Sequence, residues 1–570
     1  MDKAQQRPMV PSLPVTSTWT ASVPRVAASD FDAVDLLPAA KTAVSIALFS
    51  IALVVFASNQ HPLAPLSPGL ATVAVRAVVP LAAALVVALF QRRPILAYAS
   101  VLALTPAWNS AQVDVALGSF QIIDQTFFVA AMLVGCLVLG RRRSGVEPFD
   151  VLDDSAAWER LGRDRAGVAA QATRPRRHYR AHTFVEVGAA GFVALALLSS
   201  LASPDVATSA NVLLHGIVEP LLMGAILVWL RPGRRDLFIV GAGLAFAAAL
   251  GSALNVLQGL SSYGSVAAML SRRLYFSWYT YGNVGFYGIV MAATLPIEVG
   301  LLLMGRRLRV PQRLKATLLL ATGLTLVGLL FTISKSAWLS AFCATMLLAF
   351  LTMRSWWRRA ALAFAAVVLS ALFVPWPSVA LQASPAAAEA YRTAVAQVVG
   401  TSRLNSWDIS TLSGHGSVAE RFYAIEGGIW MALDHPVLGI GLDQYSKYYV
   451  TGKDRPAEAR DQRIDHAHSL AAEVAAELGL PAAVLLAALL VAALWAAWRG
   501  FRTAQSDVSR VLAASIITGL GAWVFAAMIF GCVIYRAASL QASDVVTFAV
   551  LVAMAVGLGR LRQREGPNWV

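Results

Sequence analysis

Charged side chains are scarce in this sequence: Asp, Glu, Lys and Arg make up 14% of its 570 residues, whereas hydrophobic residues make up 58%. Soluble globular proteins carry about 25% charged residues, so the composition excludes that class and predicts a polytopic membrane protein. Cysteine is also rare. Cys136, Cys343 and Cys532 all lie in apolar runs, which predicts buried free thiols and carries no information on the redox compartment.

Signatures of several other classes are missing too. The net charge is +14, but the basic residues form short clusters between apolar runs, so no nucleic-acid partner is expected. The largest polar linker, 141–183, has neither a glycine-rich phosphate loop nor a paired acidic metal motif. We interpret it as a cytoplasmic linker that faces anionic lipids. Residues 1–41 lack an apolar core followed by a cleavage site, which predicts a disordered cytoplasmic tail and no cleaved signal peptide.

Apolar runs long enough to cross about 30 Å of hydrocarbon recur along the rest of the chain. They predict about fourteen transmembrane helices and an all-α polytopic membrane fold. The predicted spans are 42–58, 70–90, 94–108, 122–140, 184–202, 210–230, 236–258, 284–304, 316–333, 337–353, 359–376, 476–498, 510–535 and 541–559.

Most of the 46 Lys and Arg residues fall on one side of these spans. Because positively charged loops stay in the cytoplasm, both termini are predicted to be cytoplasmic, with the protein in the inner membrane. The chain then divides into a tail, eleven spans, one large extracytoplasmic loop, three spans and a second tail. The predicted bounds of these parts are 1–41, 42–376, 377–475, 476–559 and 560–570.

Two groups of cations interrupt the predicted outer side before the large loop. Arg272 and Arg273 precede a dense aromatic run. This pattern fits an interfacial aromatic belt with a basic flank, and equally a diphosphate or sugar site in which guanidinium forks bind phosphate oxygens. Lys335 lies at a corner between two predicted helices, where it is either a snorkelling anchor or a substrate contact.

The large loop contains a predicted helix. Ser417 and Glu420 fit a capping box, so the helix should begin at Ser417. Arg421 follows in the first turn, where the helix dipole disfavours a cation, so it either binds an anion or forms a surface salt bridge. An apolar stripe at helical spacing is predicted to lie on the membrane-domain surface. Its members are Phe422, Ile425, Ile429 and Leu433.

A turn and two histidines follow this helix. The segment Pro-Val-Leu-Gly-Ile-Gly at 436–441 forces the turn, and Tyr445 comes directly after it. Beyond a charged linker, His466 and His468 precede the twelfth predicted span. Histidines two residues apart cannot share one helical face, so no metal site is expected. A histidine just above the bilayer is suited to general-base catalysis; alternatively, both histidines only cap or solvate the helix start.

Three motifs follow one another along the chain: Ser-Lys-Ser-Ala at 334–337, Arg421 followed by 430–433 and 436–441, and His468-Ser469 followed by Glu-Leu-Gly-Leu at 477–480. In this order they resemble the motifs of the O-antigen ligase and O-antigen polymerase superfamily, and the resemblance covers roughly residues 270–500. Lys335 stands where the family usually has Arg, and Ser469 where it usually has Asn.

The resemblance implies a GT-C-like, metal-independent glycosyltransferase that needs no cofactor and acts in cell-envelope polysaccharide or lipopolysaccharide biosynthesis. Its donor would be a glycan on a polyprenyl diphosphate such as undecaprenyl diphosphate, its acceptor a lipid or glycan, and its surroundings membrane lipids. His468 would be the catalytic base. The implied diphosphate- and glycan-binding residues are Arg421, Arg273, Arg272, Lys335 and Tyr445.

A lipid-linked oligosaccharide or polysaccharide flippase is the alternative class. A flippase should carry ionisable residues along a midplane path and show internal symmetry. No internal repeat is seen, and Arg76, Glu219 and Asn255 are the main polar residues within the predicted spans, which favours the enzyme. Ligase and polymerase differ only in acceptor; the predicted number of spans leans slightly towards a polymerase.

Overall fold

The structure is a computed structural model. The predicted span 42–58, most of the predicted spans 70–90 and 359–376, most of the linker 141–183, and Arg76, Arg272 and Arg273 lie outside the residues that it describes. Described are residues 86, 89–90, 93–111, 115–117, 120–122, 124–144, 181–264, 276–277, 282–307, 311–332, 334–353, 355, 357–361, 417–451, 464, 466–504, 506–530 and 542–565.

The described chain is mostly helical, as predicted, with two short antiparallel hairpins as the exception. Strand β1 (Val115–Leu117) pairs with β2 (Phe120–Ile122), and β3 (Phe276–Ser277) pairs with β4 (Gly282–Asn283). The helices are α1 Pro94–Ala111, α2 Asp124–Ser144, α3 Ala181–Ala202, α4 Val206–Leu230, α5 Arg234–Tyr263, α6 Val284–Arg307, α7 Gln312–Phe331, α8 Lys335–Thr352, α9 Ser417–Asp434, α10 Tyr445–Thr451, α11 Leu470–Leu478, α12 Leu480–Arg502, α13 Asp507–Phe530 and α14 Ala542–Glu565.

Seven helices of the described part are long and apolar enough to cross a membrane: α3, α4, α5, α6, α7, α12 and α13. Shorter apolar stretches occur in α1, α2 and α8. These helices follow the predicted apolar runs closely, because hydropathy over about 20 residues is a local signal. The total of fourteen spans and the large helical loop of a GT-C-like fold stay predictions.

One boundary differs from the prediction in a way that matters for the site. The span predicted to begin at residue 476 is two helices, α11 and α12, separated at Gly479. Gly479 has a φ of 87°, a left-handed conformation that L-residues with a side chain rarely adopt. The spanning helix therefore begins at Leu480, and Glu477 lies in a separate short helix before it.

The centre of the membrane domain is α6, which packs against α13, α8, α7 and α5. Small residues allow these helices to approach closely, as is usual in membranes. A Cβ atom on Gly519 of α13 would lie 2.7 Å from the carbonyl oxygen of Ala293, and one on Gly288 of α6 would lie 2.9 Å from Cβ of Ala337. The contacts between α6, α8 and α13 therefore depend on glycine at these positions.

Three ionisable side chains well inside α4 and α6, His215, Glu219 and Glu298, are buried. Glu219 accepts a 2.5 Å hydrogen bond from the Thr126 hydroxyl and lies 3.2 Å from Nδ1 of His215. Glu298 accepts a 2.7 Å hydrogen bond from Thr325. His215 and Glu298 join Glu219 and Asn255 as buried polar groups within the spans, so the residues predicted as the main polar exceptions were not the full set.

Candidate active site

The turn at 436–441 is attached to the end of α11 by backbone hydrogen bonds. The N–H of Ile440 donates to the carbonyl of Ala476 (2.9 Å), and that of Gly441 donates to the carbonyl of Glu477 (3.0 Å). In return, the N–H of Leu480 donates to the carbonyl of Pro436 (2.9 Å). Buried peptide groups must be paired, so these bonds fix the position of the turn relative to the first residue of α12.

Three glycines make this close contact possible. Gly439, Gly441 and Gly479 have φ angles of 67°, 97° and 87°. A side chain at Gly439 would overlap the backbone of Glu477, and one at Gly479 would overlap the carbonyl of Val437. Glycine is required here both for its backbone conformation and for the space that it leaves.

The end of α11 and the residue that follows the turn contact the corner between α3 and α4. The Ser199 hydroxyl donates to the carbonyl of Glu477 (2.7 Å), and the Ser209 hydroxyl donates to the carbonyl of Leu442 (2.8 Å). At the surface, Lys447 Nζ lies 2.8 Å from Oδ2 of Asp205. The hydrogen bonds from Lys447 and then from Thr208 lower the pKa of Asp205 to about 2.

The residues from α9 to α11 thus form one body, here called the loop unit (417–451, 464 and 466–478). Its apolar core contains Ala424, Met431, Tyr445, Tyr449 and Ala476. Helix α9 begins at Ser417, as the capping box predicted. The charged and aromatic residues of α10 and α11 are therefore positioned by the core of the loop unit as well as by contacts with α3 and α4.

Helix α9 packs through a face other than the predicted one. Phe422, Ile429 and Leu433 are 61%, 49% and 65% exposed. The buried face consists of small residues together with Met431, and a Cβ atom on Gly428 would lie 3.1 Å from Cβ of Ala467. Because small residues permit close approach of helices, they set the packing. The predicted contact with the membrane domain is wrong for the three exposed residues of the stripe, whereas Ile425 packs against the core of the loop unit.

Tyr445 lies inside the loop unit. Its side chain is 1% exposed and its hydroxyl donates a 2.5 Å hydrogen bond to the carbonyl of Ala424. Its ring stacks on Tyr449, with centroids 5.8 Å apart. Burial raises the pKa of Tyr445 above its ordinary value, and the nearby Glu473 contributes. This geometry favours a supporting role for Tyr445 over direct contact with a substrate.

Two buried carboxyl groups, Glu473 and Glu477, lie one helical turn apart on α11. Oε1 of Glu477 accepts a 3.2 Å hydrogen bond from the backbone N–H of Tyr445, at the start of α10. Burial, and then the negative charge of Asp443, raise the pKa of Glu477 to about 8. The side chain of Glu477 therefore joins α11 to α10, while its main-chain carbonyl holds both the turn and α3.

His468 lies just before α11, in non-helical backbone. Its φ is 51°, a left-handed value that is uncommon for residues with a side chain. Such conformations cost on the order of 1–3 kcal/mol and concentrate at functional sites. The imidazole is half-buried, and its ring centroid lies 4.0 Å from that of His466. The helix begins at Leu470, so the two rings meet rather than pointing to separate helical faces.

Arg421 lies on the face of α9 that the histidine segment contacts. Arg421 is half-buried and precedes Gly428 by two helical turns, which corresponds to about 10 Å along the axis. Gly428 contacts Ala467, between the two histidines. The loop unit thus brings the predicted base and the predicted diphosphate-binding arginine to one side of one helix.

Lys335, Arg272 and Arg273 are the remaining predicted site residues. Lys335 is the first residue of α8, after buried Ser334, so the predicted corner between the two helices is confirmed. Arg272 and Arg273 lie outside the described residues. Within the described part, no group of three His, Cys, Asp or Glu side chains is arranged to hold a metal ion.

Sequence reasoning did not assign a role to Glu473 or Glu477. The signal for them was present: two glutamates four residues apart interrupt an otherwise apolar helix, Leu-Ala-Ala-Glu-Val-Ala-Ala-Glu-Leu. Such a pair on one face of a buried helix indicates polar partners in space, although the partners themselves are distant in sequence.

Comparison with known proteins gives one family. Residues 320–487 match the family described as O-antigen ligase, a segment that runs from α7 into α12 and includes Lys335, Arg421, Tyr445 and His468. No curated protein matches the chain. The match confirms, for residues 320–487, the resemblance to the O-antigen ligase and polymerase superfamily that the sequence motifs predicted.

Proposed function

We propose that this protein is a membrane glycosyltransferase of the O-antigen ligase type. It moves a glycan from a polyprenyl-diphosphate carrier to an acceptor hydroxyl at the outer face of the cytoplasmic membrane. The observation that carries the proposal is the family match over residues 320–487, because that segment contains the loop unit with its half-buried Arg421 and strained His468. The match lies where the chemistry-bearing residues are concentrated.

In the proposed reaction, the neutral imidazole of His468 accepts the proton of the acceptor hydroxyl as its oxygen bonds to the anomeric carbon. The bond between that carbon and the diphosphate oxygen breaks, and its electron pair leaves with the diphosphate. Arg421 and Lys335, with Arg272 and Arg273, stabilise the negative charge that develops there. The proton ends on His468, so charge and atoms balance without a further reactant.

The remaining site residues support these groups. Glu477 fixes the loop unit through its side chain and its carbonyl, and Tyr445 holds α10 against α9. A reacting group misplaced by about 1 Å can cost on the order of a hundredfold in rate, so the contacts of the loop unit determine how well His468 and Arg421 are aligned.

The acceptor stays open between a lipid anchor, as in a ligase, and a second lipid-linked repeat, as in a polymerase. Transport is the rival function, and the buried His215, Glu219 and Glu298 are the observation in its favour. The first two are paired with each other, and Glu298 is hydrogen-bonded to Thr325 between packed helices. These contacts enclose the three side chains within the protein, which favours an enzyme over a transporter.

The decisive experiment is a transfer assay with purified full-length protein and a fluorescent glycan on undecaprenyl diphosphate. We expect a glycan product on an added lipid-core or second lipid-linked acceptor, with EDTA present and without nucleotide. Which acceptor is used separates ligase from polymerase. If the protein instead moves the labelled lipid between leaflets of proteoliposomes without forming product, the proposal fails in favour of transport.

A second measurement tests the side of the membrane. Cysteine at position 446 in α10 (S446C), in a protein without its natural cysteines, should react with a membrane-impermeant maleimide in cells with a permeabilised outer membrane. Labelling only after lysis of the inner membrane would overturn the proposed outer location of the site.

A further inference from the structure

A large cavity lies away from the candidate active site, between α3, α4, α12 and α14. Its volume is about 1290 Å³, which exceeds the roughly 300–1,000 Å³ of sites for small molecules. The lining is apolar along most of its length, including Phe192, Leu221, Leu489 and Phe548. This interhelical cavity has no part in the proposed transfer reaction.

Charged side chains occur at one end of the interhelical cavity. Glu186, Arg231 and Arg560 line that end, and the other lining residues are apolar. Arg560 donates a 2.9 Å hydrogen bond to the carbonyl of Val228 and is paired with Glu186. A guanidinium has five N–H donors, so these contacts leave donors for a further acceptor. Two arginines against one carboxylate give this end a net positive charge.

The length of the cavity fits a membrane lipid. Along α4 its lining runs from Gly216 to Arg231, which spans about 22 Å at the rise of an α-helix. One leaflet contributes about 15 Å of hydrocarbon, half of the bilayer core. The apolar walls therefore extend through a whole leaflet, while the arginines lie at the helix ends where a headgroup would be. Apolar cavities stay dry and bind apolar molecules.

We propose that the interhelical cavity binds an anionic phospholipid. Its acyl chains lie along the apolar walls of α3, α4 and α14, and its phosphate contacts Arg231 and Arg560. Arginine forks match phosphate oxygens bidentately, and the apolar lining excludes a soluble anion as the natural occupant. Gly224 and Ala549 bring α4 and α14 into close contact, so these two helices form a continuous apolar wall.

Native mass spectrometry of the full-length protein in detergent tests this proposal, with dioleoyl phosphatidylglycerol and dioleoyl phosphatidylcholine as probes. Both lipids carry a phosphate, but the choline cation of phosphatidylcholine is repelled by the two arginines. We therefore expect phosphatidylglycerol to bind about tenfold more tightly. R231Q should remove most of that preference. Arg231 is exposed, so this variant should fold even if substitution of Arg560 disturbs its contacts with Val228 and Glu186.

A second variant tests the apolar part. Ala225 lines the cavity and is exposed, so A225W should fill it and weaken the binding of both lipids. L319W on the lipid-facing side of α7 and R313Q at the start of α7 are matched controls that should change neither. Equal binding of the two lipids, insensitive to R231Q, would overturn the proposal. So would displacement of phosphatidylglycerol by inorganic phosphate alone, which would indicate a soluble anion site.

Discussion

The loop unit and the interhelical cavity hold arginine in two different ways. In the loop unit, Arg421 lies on a helix whose position is set by glycine contacts, buried carboxyl groups and reciprocal backbone hydrogen bonds. At the cavity, Arg560 is held by one carbonyl and one partly exposed carboxylate, beside walls of smooth apolar side chains. The arrangement in the loop unit fixes the positions of side chains, as a reaction requires. The arrangement at the cavity suits the proposed lipid, whose acyl chains vary. Substitutions in the loop unit should therefore affect turnover strongly, and those in the cavity should not.

The largest expected effect is that of His468. His468→Ala should lower the transfer rate by about 10²- to 10⁴-fold, the usual contribution of a general base, while the protein remains folded in detergent. His466→Ala is the matched control and should retain most activity, although the two rings are in contact. If His466→Ala is inactive and His468→Ala is not, the roles of the two residues are exchanged. Rates would be measured in the transfer assay.

Arg421 should come next. Arg421→Ala should reduce the transfer rate by about 10²- to 10³-fold, as for loss of one preorganised donor. Arg421→Lys keeps the charge but loses the planar fork, so it should recover only part of the rate. Arg313→Ala, an exposed arginine on α7, should have no effect. An active Arg421→Ala variant would remove the diphosphate role and the contrast with the cavity arginines.

A glycine pair tests whether the position of the loop unit is fixed by close backbone contact. Gly439→Ala should destabilise the protein by at least about 1–3 kcal/mol, since a left-handed φ is unfavourable for alanine and the methyl group would overlap Glu477. Gly323→Ala is the control, because nothing lies near its Cβ position in α7. Thermal unfolding in detergent should fall for the first variant and be unchanged or raised for the second.

The pH dependence of stability tests the role of Glu477. Its pKa is about 8 in the folded protein and ordinarily 4.5, so the folded state binds its proton more tightly than the unfolded state. The stabilisation is complete below about pH 4.5 and is lost as pH rises through 8, with a slope of at most about 1.4 kcal/mol per pH unit.

The matched variant is Glu477→Gln, which cannot ionise. Its unfolding temperature, followed from pH 5 to 9, should decline less with rising pH than that of the unmodified protein. Identical pH profiles for the two proteins would show that Glu477 is not protonated in the folded loop unit.

The smallest effect is expected at the surface of the loop unit. Lys447→Ala breaks an exposed pair with Asp205, and such pairs contribute about 0–1 kcal/mol. The unfolding temperature should hardly change at low salt and not at all at high salt. A large loss of stability would indicate that the loop unit depends on surface charge rather than on its backbone contacts.

The sequence predicted what depends on local signals. The bounds of α4, α5 and α6 followed from hydropathy, and the start of α9 followed from its capping box. The predictions were wrong or incomplete where segments distant in the chain pack together. The packing face of α9 was predicted to be the stripe that begins at Phe422, because large apolar residues usually indicate a core. In the structure, α9 packs mainly through small residues such as Gly428.

The candidate site shows the same division. The motifs around Arg421 and His468 were visible in the sequence, and the family match supports the resemblance that they indicated. The break at Gly479 and the contacts of Glu477 were not predicted, because each depends on a turn about 40 residues earlier in the chain. Tyr445 was predicted to bind the substrate on the basis of the resemblance alone, and only the structure shows how deeply it is buried.

The backbone bonds between the turn and α11 also set an order of events during synthesis. The segment 436–441 leaves the ribosome before its partners at 476–480 exist, and a gap of about 40 residues takes several seconds at roughly 5–20 residues per second. During that interval the face of α9 that contains Gly428 is not yet covered by Ala467 and Ala472. The contacts that position Arg421 and His468 in the loop unit are therefore completed only after residues 476–480 have been synthesised.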